Sequence, residues 1–463
     1  MAVWSMVKLS ALATGMRLDG EYYQPCNLAD ARKLAATNPK SVGTFAFVTD
    51  GIHASPDEVE EGGVRYLSAK CVKDNAFALG DTLQISESQH AANPRTSLRE
   101  NDVLITTVGT IGNAAVVQPE ILPANVDRHL GIVRINEDAG VDPYYLATFL
   151  NCEFGRFQSL REATGNVQLN LFIEKIRELQ VPILACARDV AKQTRAAYKK
   201  RTEASETIAL AESRLMRALE LDRLDLVADQ HQVAKFSAMV TTQRYDAEHF
   251  CLPGLRKWRS PFPTRPLGDS TIATWVSNGA TPAAKEYAEA GLPIIKVGDV
   301  DSDALATWGG ESVQKDAPAA RGERGALLEG DIVVLCAAHH IRYIGKAGLF
   351  VGIDGYRGPV RSVGELITVR AGSAVNQQSL CLYLNLSAVR SESQRHVRGL
   401  SAHLYPNDFR QIPVPLLPKR LQEELAELFK QSLSARREAT RLLNQAKQAI
   451  EEAITGEISG KGK

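Results

Sequence analysis

The feature that most constrains this chain is that it repeats itself once, in order, over most of its length. Near the start, Arg17-Leu-Asp19-Gly-Glu21-Tyr-Tyr23 is echoed 227 positions later by Arg244-Tyr-Asp246-Ala-Glu248-His-Phe250. Asp50-Gly51-Ile-His53-Ala-Ser-Pro56 then corresponds to Ser277-Asn278-Gly279-Ala-Thr281-Pro282, and Gly63-Val-Arg-Tyr66-Leu67 to Gly291-Leu-Pro-Ile294-Ile295. Leu98-x-x-x-Asp102 matches Leu327-x-x-x-Asp331, Ile111-Gly112 matches Ile344-Gly345, Gly165 pairs with Gly399, and Val181-Pro182 is answered by Val414-Pro415. Any one pair is only loop punctuation, since Gly and Pro recur in turns generally. The preserved order is what implies a duplicated fold, and a repeat of this kind governs architecture before any motif does.

Each half closes on a long stretch almost free of Gly and Pro and rich in strong helix formers. In the first, Ala187, Val190, Thr194, Ala197, Arg201, Ala204, Ile208, Ala211, Leu215 and Ala218 follow the three-four spacing of a coiled-coil seam. In the second, Leu421, Leu425, Leu428, Ser432, Ala435, Ala439, Leu442, Ala446, Ala449 and Ala453 do the same. A helix over 187–218 would be about 48 Å long at ~1.5 Å per residue, longer than one domain needs, which suggests a spacer. An ordinary amphipathic helix packed on its own domain is the alternative. The basic run Lys192, Arg195, Lys199, Lys200 and Arg201 reads first as a solvated face.

Before each helix, short apolar runs alternate with turns and predict strands. They fall at Val64 to Ala69, Asp102 to Thr107, Ala114 to Val117 and Leu130 to Ile135, with counterparts at Leu292 to Val297, Asp331 to Leu335, Lys346 to Val351 and Glu365 to Val369. One short helix near Tyr144 to Phe157 and another near Gln378 to Arg395 complete each half. The expected class is α+β: two duplicated mixed α/β domains separated by two long helices that pair as an antiparallel coiled coil. The expected boundaries are 1–185 for the first domain, 186–225 for the central helix, 226–417 for the second domain, 418–457 for the C-terminal helix and 458–463 for a tail.

Several chemistries find no support. No apolar run approaches the roughly 20 residues that cross a bilayer, and the N-terminus lacks a signal-peptide layout, so a cytoplasmic location without membrane association is expected. The seven cysteines are scattered and form no Cys-x-x-Cys pair, so neither a disulfide framework nor a zinc knuckle is signalled. Gly109-Thr-Ile-Gly112 is too short for a phosphate loop and lacks the lysine; it reads as a tight turn. The adjacent His339 and His340 would point to opposite faces of a strand, with no third ligand nearby. Asp142-Pro143-Tyr144-Tyr145 is superficially similar to the amine-binding loop of amino-methyltransferases, but it lacks the second Pro. It reads better as a helix start, with Asp142 the cap and Pro143 the first helical residue. Lysine plus arginine equals aspartate plus glutamate at 54 each, so any attraction to nucleic acid must come from local patches, within a Debye length of roughly 8 Å.

Both halves resemble the target-recognition domains of type I restriction-modification specificity subunits. In the first half the resemblance rests on Asp50-Gly51-Ile-His53-Ala-Ser-Pro56, Gly63-Val-Arg-Tyr-Leu-Ser-Ala-Lys70, Ile85-Ser-Glu-Ser-Gln-His90-Ala-Ala-Asn93-Pro-Arg95 and the run from Leu98 to Asn113. In the second it rests on Gly279-Ala-Thr281-Pro282, Tyr287 and Gly291 to Ile295, while the Gly-Thr-Ile-Gly turn has become His340-Ile-Arg342-Tyr-Ile-Gly345. It spans nearly the whole chain, including the alternation of domain and long helix. The resemblance implies a non-catalytic subunit that reads one half of a split double-stranded DNA site with each domain, the helices setting the unread gap. It also implies two methyltransferase (modification) subunits and a motor-nuclease (restriction) subunit as partners, with S-adenosylmethionine, Mg2+ and ATP held by those partners and no cofactor in this chain.

Base edges are read by polar side chains on loops while Lys and Arg neutralise phosphates. The candidate DNA contacts in the first half are therefore His53, Lys70, His90, Arg95, Thr107, Asn113, Arg128, His129, Asn166 and Gln168. In the second they are Lys296, His339, His340, Arg342, Arg361, Arg398 and His403. The rival readings are a self-contained modification enzyme, which only Asp142-Pro-Tyr-Tyr suggests, and a coiled-coil scaffold that binds protein, which zero net charge allows.

Overall fold

The computed structural model describes residues 6–8, 12, 17–80, 82–165, 168–224, 226, 231, 233–301, 303–399 and 402–456, the Glu248 side chain excepted. The chain divides into two compact units, Met1–Thr202 with Ala435–Lys463, and Glu203–Ser434. Both divisions fall inside the long helices.

In the first unit, strands β1 (Ala46–Asp50), β2 (Val64–Leu67), β3 (Leu83–Ile85), β4 (Val103–Thr106), β5 (Ala114–Val116), β6 (Ala124–Val126) and β7 (Leu130–Ile135) form two sheets. One is antiparallel in the order β1-β7-β4-β5; the other has the order β3-β2-β6, with β2 and β6 parallel. The apolar runs are continuous because the larger sheet is covered on both faces. Val103 and Ile105 pack with Tyr145 and Phe149 of helix α1 (Pro143–Asn151), while Leu104 and Ile132 pack with Leu67 and Val126 of the smaller sheet. All four of the strand residues are fully buried, each contributing about 1.5–3 kcal/mol.

The single helix expected near Tyr144 to Phe157 is two: α1, and α2 (Glu153–Glu162), broken where Cys152 adopts an extended backbone. The second helix turns back so tightly that a Cβ on Gly155 would lie 2.1 Å from the Phe149 carbonyl oxygen. Asp142 caps α1 by accepting from the Tyr144 N–H at 2.9 Å, with Pro143 in the first turn, and its carboxylate also pairs with Arg195 at 2.7 Å.

The first long helix, α3, spans Ala187–Ala218 as the seam spacing predicts, and stops short of the boundary expected at 225, because Glu220 turns left-handed and a separate short turn, Leu221–Arg223, follows. Its two polar seam positions have definite partners in the first unit. Thr194 is buried with its hydroxyl 2.7 Å from that of Thr148, and Arg201 donates to the Asp74 and Asn75 carbonyls. The Tyr198 hydroxyl accepts from the Val116 N–H at 2.9 Å, so this half of the helix is bolted to its own sheet.

The second unit contains β8 (Ala273–Asn278), β9 (Leu292–Ile295), β10 (Leu305–Ala306), β11 (Ile332–Leu335), β12 (Ala347–Phe350), β13 (Val360–Ser362) and β14 (Leu366–Ala371). Its larger sheet has the order β8-β14-β11-β12-β10, and β9 lies parallel to β13 in the other. Ile332 and Val334 face the helix layer, and Val333 and Leu335 face the other sheet. The helix expected from Gln378 to Arg395 is again two, α4 (Gln377–Asn385) and α5 (Ser387–Arg395), interrupted at the extended Leu386.

The same specific interactions occur within each unit. The Arg17–Asp19 pair, with Arg17 donating to the Ala163 carbonyl, has its counterpart in Arg244–Asp246 with Arg244 donating to that of Val397. Asn151 clamps both backbone polar groups of Ala114, and Asn385 does so for Ala347. Tyr145 donates to the Pro182 carbonyl, and Tyr383 to that of Pro413.

The last helix, α6, spans Lys419–Thr455. In the first unit Cys186 lies near the Ala449 carbonyl, and Ala197 packs with Ala439 and Leu443; in the second, Ser432 donates to the Ala204 carbonyl and Arg214 pairs with Glu424. Within each unit the helix segments therefore run in opposite directions. The buried stripe on α6 departs from the predicted one: Phe429, Leu443, Ile450 and Ile454 are buried, while Leu428, Leu442, Ala449 and Ala453 are half-buried. The cause is that α6 also covers globular cores, Phe429 in one unit and Ile450 and Ile454 in the other, which rotates its apolar face away from a strict seam.

Candidate nucleic-acid interface

In the first unit the chain leaving β1 must pass directly beneath the end of β6. A Cβ on Gly51 would lie 2.2 Å from the carbonyl oxygens of both Val126 and Asp127, so only glycine fits, and the Ile52 N–H donates to Val126 at 2.8 Å. This crossing brings His53 beside the loop of Asp127, Arg128 and His129. A cleft of about 350 Å³ results, walled by those residues with Pro56, Tyr66 and Ser68.

Two carboxylates orient the imidazoles. His53 Nε2 lies 2.5 Å from Asp50, and His129 Nδ1 lies 3.0 Å from Asp127, which also accepts from the His129 N–H at 2.9 Å. Arg95 reaches Asp50 at 3.3 Å and the Thr49 hydroxyl. Burial pushes the Asp50 carboxyl up, but His53 and Arg95 together outweigh it and hold it below its ordinary value. Arg128 is exposed at the rim, with no hydrogen bond or ion pair among the described residues. Thus His53 and Arg95 converge on Asp50 and His129 on Asp127, with Arg128 beside them at the rim; neither carboxylate was among the candidate contacts.

The remaining first-half candidates divide. Lys70 is exposed on the turn Ala69–Cys71. His90 is half-buried on the short helix Glu87–Ala92, its Nδ1 without a partner, and Gln89 of the same helix bonds the cleft loop at Ser55 and Asp57. Gln168 is exposed on the loop that bridges Val108 through Asn170. Thr107 and Asn113 are buried, the Asn113 amide engaged by the Val72 carbonyl and by Arg156, so neither is presented at the surface. Asn166 lies outside the described residues.

In the second unit, the loop that carries His339, His340 and Arg342 meets the loop that carries Arg398 and His403 through backbone contacts at Ala337 and Ala338. His403 bridges both Ala337 and Arg398, and its ring lies 4.6 Å from that of Tyr405. The histidine pair lies outside any strand: His340 caps the turn Ile341–Tyr343 by accepting from the Arg342 N–H. Arg398 is held by Asp408 at 2.9 Å, and Lys296 by Glu311 at 2.8 Å over the Tyr287 ring. Arg361 is 8% exposed and donates to the Gly322 carbonyl, which places it in the interior.

The second unit also rebuilds the crossing of the first. A Cβ on Gly279 would lie 2.2 Å from the Ser362 carbonyl oxygen, and the Ala280 N–H donates to Ser362 at 3.0 Å. Val363 donates to Ile295 as Asp127 does to Leu67, and Cys336 donates to Glu365 as Thr107 does to His129. On this frame Thr281 stands for His53, Gly364 for Arg128 and Glu365 for His129. The Thr281 hydroxyl donates to Glu365 at 2.8 Å and accepts from the Gly364 N–H at 2.9 Å. Thr281, Gly364 and Glu365 were missed as candidates; the repeat offset, 228 at His53 and 236 at His129, is the signal that leads to them.

Among the described residues no group of three or more His, Cys, Asp or Glu could hold a metal ion, and no helix is long and apolar enough to cross a membrane. No family model matches the chain, and no curated protein matches it. Among solved structures it is similar to an HsdS subunit from Thermoanaerobacter tengcongensis, at 15% identity and a TM-score of 0.30 over 90% of this chain and 96% of that one. It is similar to a structure described for complex assembly and conformational transition of a type I restriction-modification system, at 15% and 0.31 over 90% and 96%. A type I restriction-modification S subunit from M. genitalium matches at 11% and 0.38 over 90% and 94%. At such identities and TM-scores the functional reading rests on the chain's own residues.

Proposed function

We propose that this chain is the DNA-reading specificity subunit of a type I restriction-modification complex, without catalysis of its own. The observation that carries the reading is one backbone frame built twice, with Gly51 and Gly279 at equivalent crossings, displaying different polar side chains at matching positions. A protein that reads two unlike half-sites needs this combination, because a constant frame fixes the approach while loop side chains supply base-edge donors and acceptors. The recurring clamps and ion pairs support duplicated recognition domains at 1–185 and 226–417. The opposed helix segments support an antiparallel coiled-coil spacer at 186–225 and 418–457.

On this reading double-stranded DNA is the ligand, and the partners are two modification subunits and a restriction subunit that bring S-adenosylmethionine, Mg2+ and ATP. The complex works in the cytoplasm. The engagement of Asp142 as cap and as partner of Arg195 weighs against a methyl-transfer loop there.

The test is a map of methylated adenines in a host expressing this chain with a modification subunit of a type I restriction-modification system from the same genome, compared with each alone. A split motif that arises only from the two together is expected. Methylation by the methyltransferase alone at the same motif would overturn the assignment.

A further inference from the structure

The two crossings differ in the hydrogen-bond polarity that their matched loops present. In the first unit Arg128, a donor that cannot accept, stands at the cleft rim with no hydrogen bond or ion pair among the described residues, in a cleft that two carboxylate-anchored histidines also line. In the second unit the matched segment is Gly364-Glu365. Thr281 fixes one Glu365 oxygen, and the other has no partner among the described residues. A guanidinium fork matches the O6 and N7 acceptors of guanine, whereas a carboxylate accepts from the exocyclic amino groups of cytosine or adenine.

We propose that these matched loops read bases of opposite chemistry, Arg128 a guanine in one half-site and Glu365, one position further along the loop, an amino-bearing base, cytosine or adenine, in the other. The inference rests on the DNA-reading function proposed above. It makes Asp50 and Asp127 positioning residues that hold His53 and His129 as the walls beside Arg128.

The experiment is selection from a randomised duplex pool by the full chain, alone and with a type I modification subunit from the same genome, for wild type, Arg128→Ala, Arg128→Lys and Glu365→Gln. Wild type is expected to select a split motif. Arg128→Ala should cut discrimination for one guanine by about 5- to 150-fold, and Arg128→Lys, which keeps the charge but loses the fork, should cut it too. Glu365→Gln should relax one cytosine or adenine of the opposite half-site and leave the guanine alone. Melting temperatures close to wild type would separate readout from structural damage; should Arg128→Ala melt early, Arg128→Lys decides. A uniform loss of affinity across all sequences would make Arg128 a phosphate contact, overturning this inference while the DNA-reading function stands. No selected sequence from wild type in either form would overturn that function, and the inference with it.

Discussion

Asp102 and Asp331 show how single residues hold each unit together. Each is almost fully buried, receives both prongs of an arginine (Arg134 at 2.7 and 2.8 Å, Arg370 at 2.8 Å twice) and accepts a backbone N–H at 2.8 Å. Removing one partner of such a pair strands the other, so Asp102→Asn is expected to cost about 3 kcal/mol, read by denaturant unfolding of the full chain. Two other carboxylates give the second unit opposite pH dependences. Burial lifts Glu212 to about 7, with Asp303 adding to the shift, so the folded form keeps its proton while the unfolded form loses it near 4.5. Stability should therefore fall as pH rises from about 4.5 to 7, and Glu212→Gln should be the more stable protein at pH 8 by roughly 2 kcal/mol. Glu392 is opposed: burial would raise it, but His396, Arg395 and the Leu255 N–H overcome that and hold it at about 2. Its contribution is present above pH 4.5 and is lost as pH falls towards 2, and a pH series of melts on Glu392→Gln should lack that loss. Asp102 and Asp331 showed in the sequence only as repeat matches, and Glu212 and Glu392 not at all, because burial and partner geometry depend on residues far along the chain.

At the scale of elements, legibility followed periodicity. The long helix Ala187–Ala218 and the strand Leu130–Ile135 have the ends their patterns predict, since uninterrupted apolar spacing is a local signal. The paired short helices were not legible as pairs: Cys152 and Leu386 look like ordinary helix residues, and only packing shows why the chain breaks there. The shifted stripe on α6 has the same origin, a helix that serves a globular core and a neighbouring helix at once. Its close contact depends on small residues, for Ala197 and Ala439 are both fully buried. Ala439→Leu is accordingly expected to destabilise by about 1–3 kcal/mol through overpacking, with a lowered melting temperature as the readout. Thr440→Leu, one residue along on the exposed face, should leave the melting temperature close to wild type.

For the whole molecule, the drifting repeat offset pointed to two halves, and the chain divides into two compact units, while net charge said nothing of the ligand because both signs are equally abundant. Of the candidate site, the loops were legible but not the division between presented and buried groups: Arg128 is exposed on the turn after β6, whereas Arg361 is buried inside β13, though the sequence offers both as polar loop arginines. If each domain reads its own half-site, replacing residues 26–182 with another recognition domain should alter one half of the methylated motif and leave the other unchanged. The helices make a second, independent demand. Ala204 faces Ser432 and Arg214 faces Glu424, so seven residues can be removed from each helix at facing positions with the pairing preserved. A heptad is about 10 Å of helix, and about three base pairs at 3.4 Å each. The unread gap in the methylation map should then shorten by about three base pairs while both half-sites keep their sequences. An unaltered gap would mean that the helices join the domains without measuring the DNA between them.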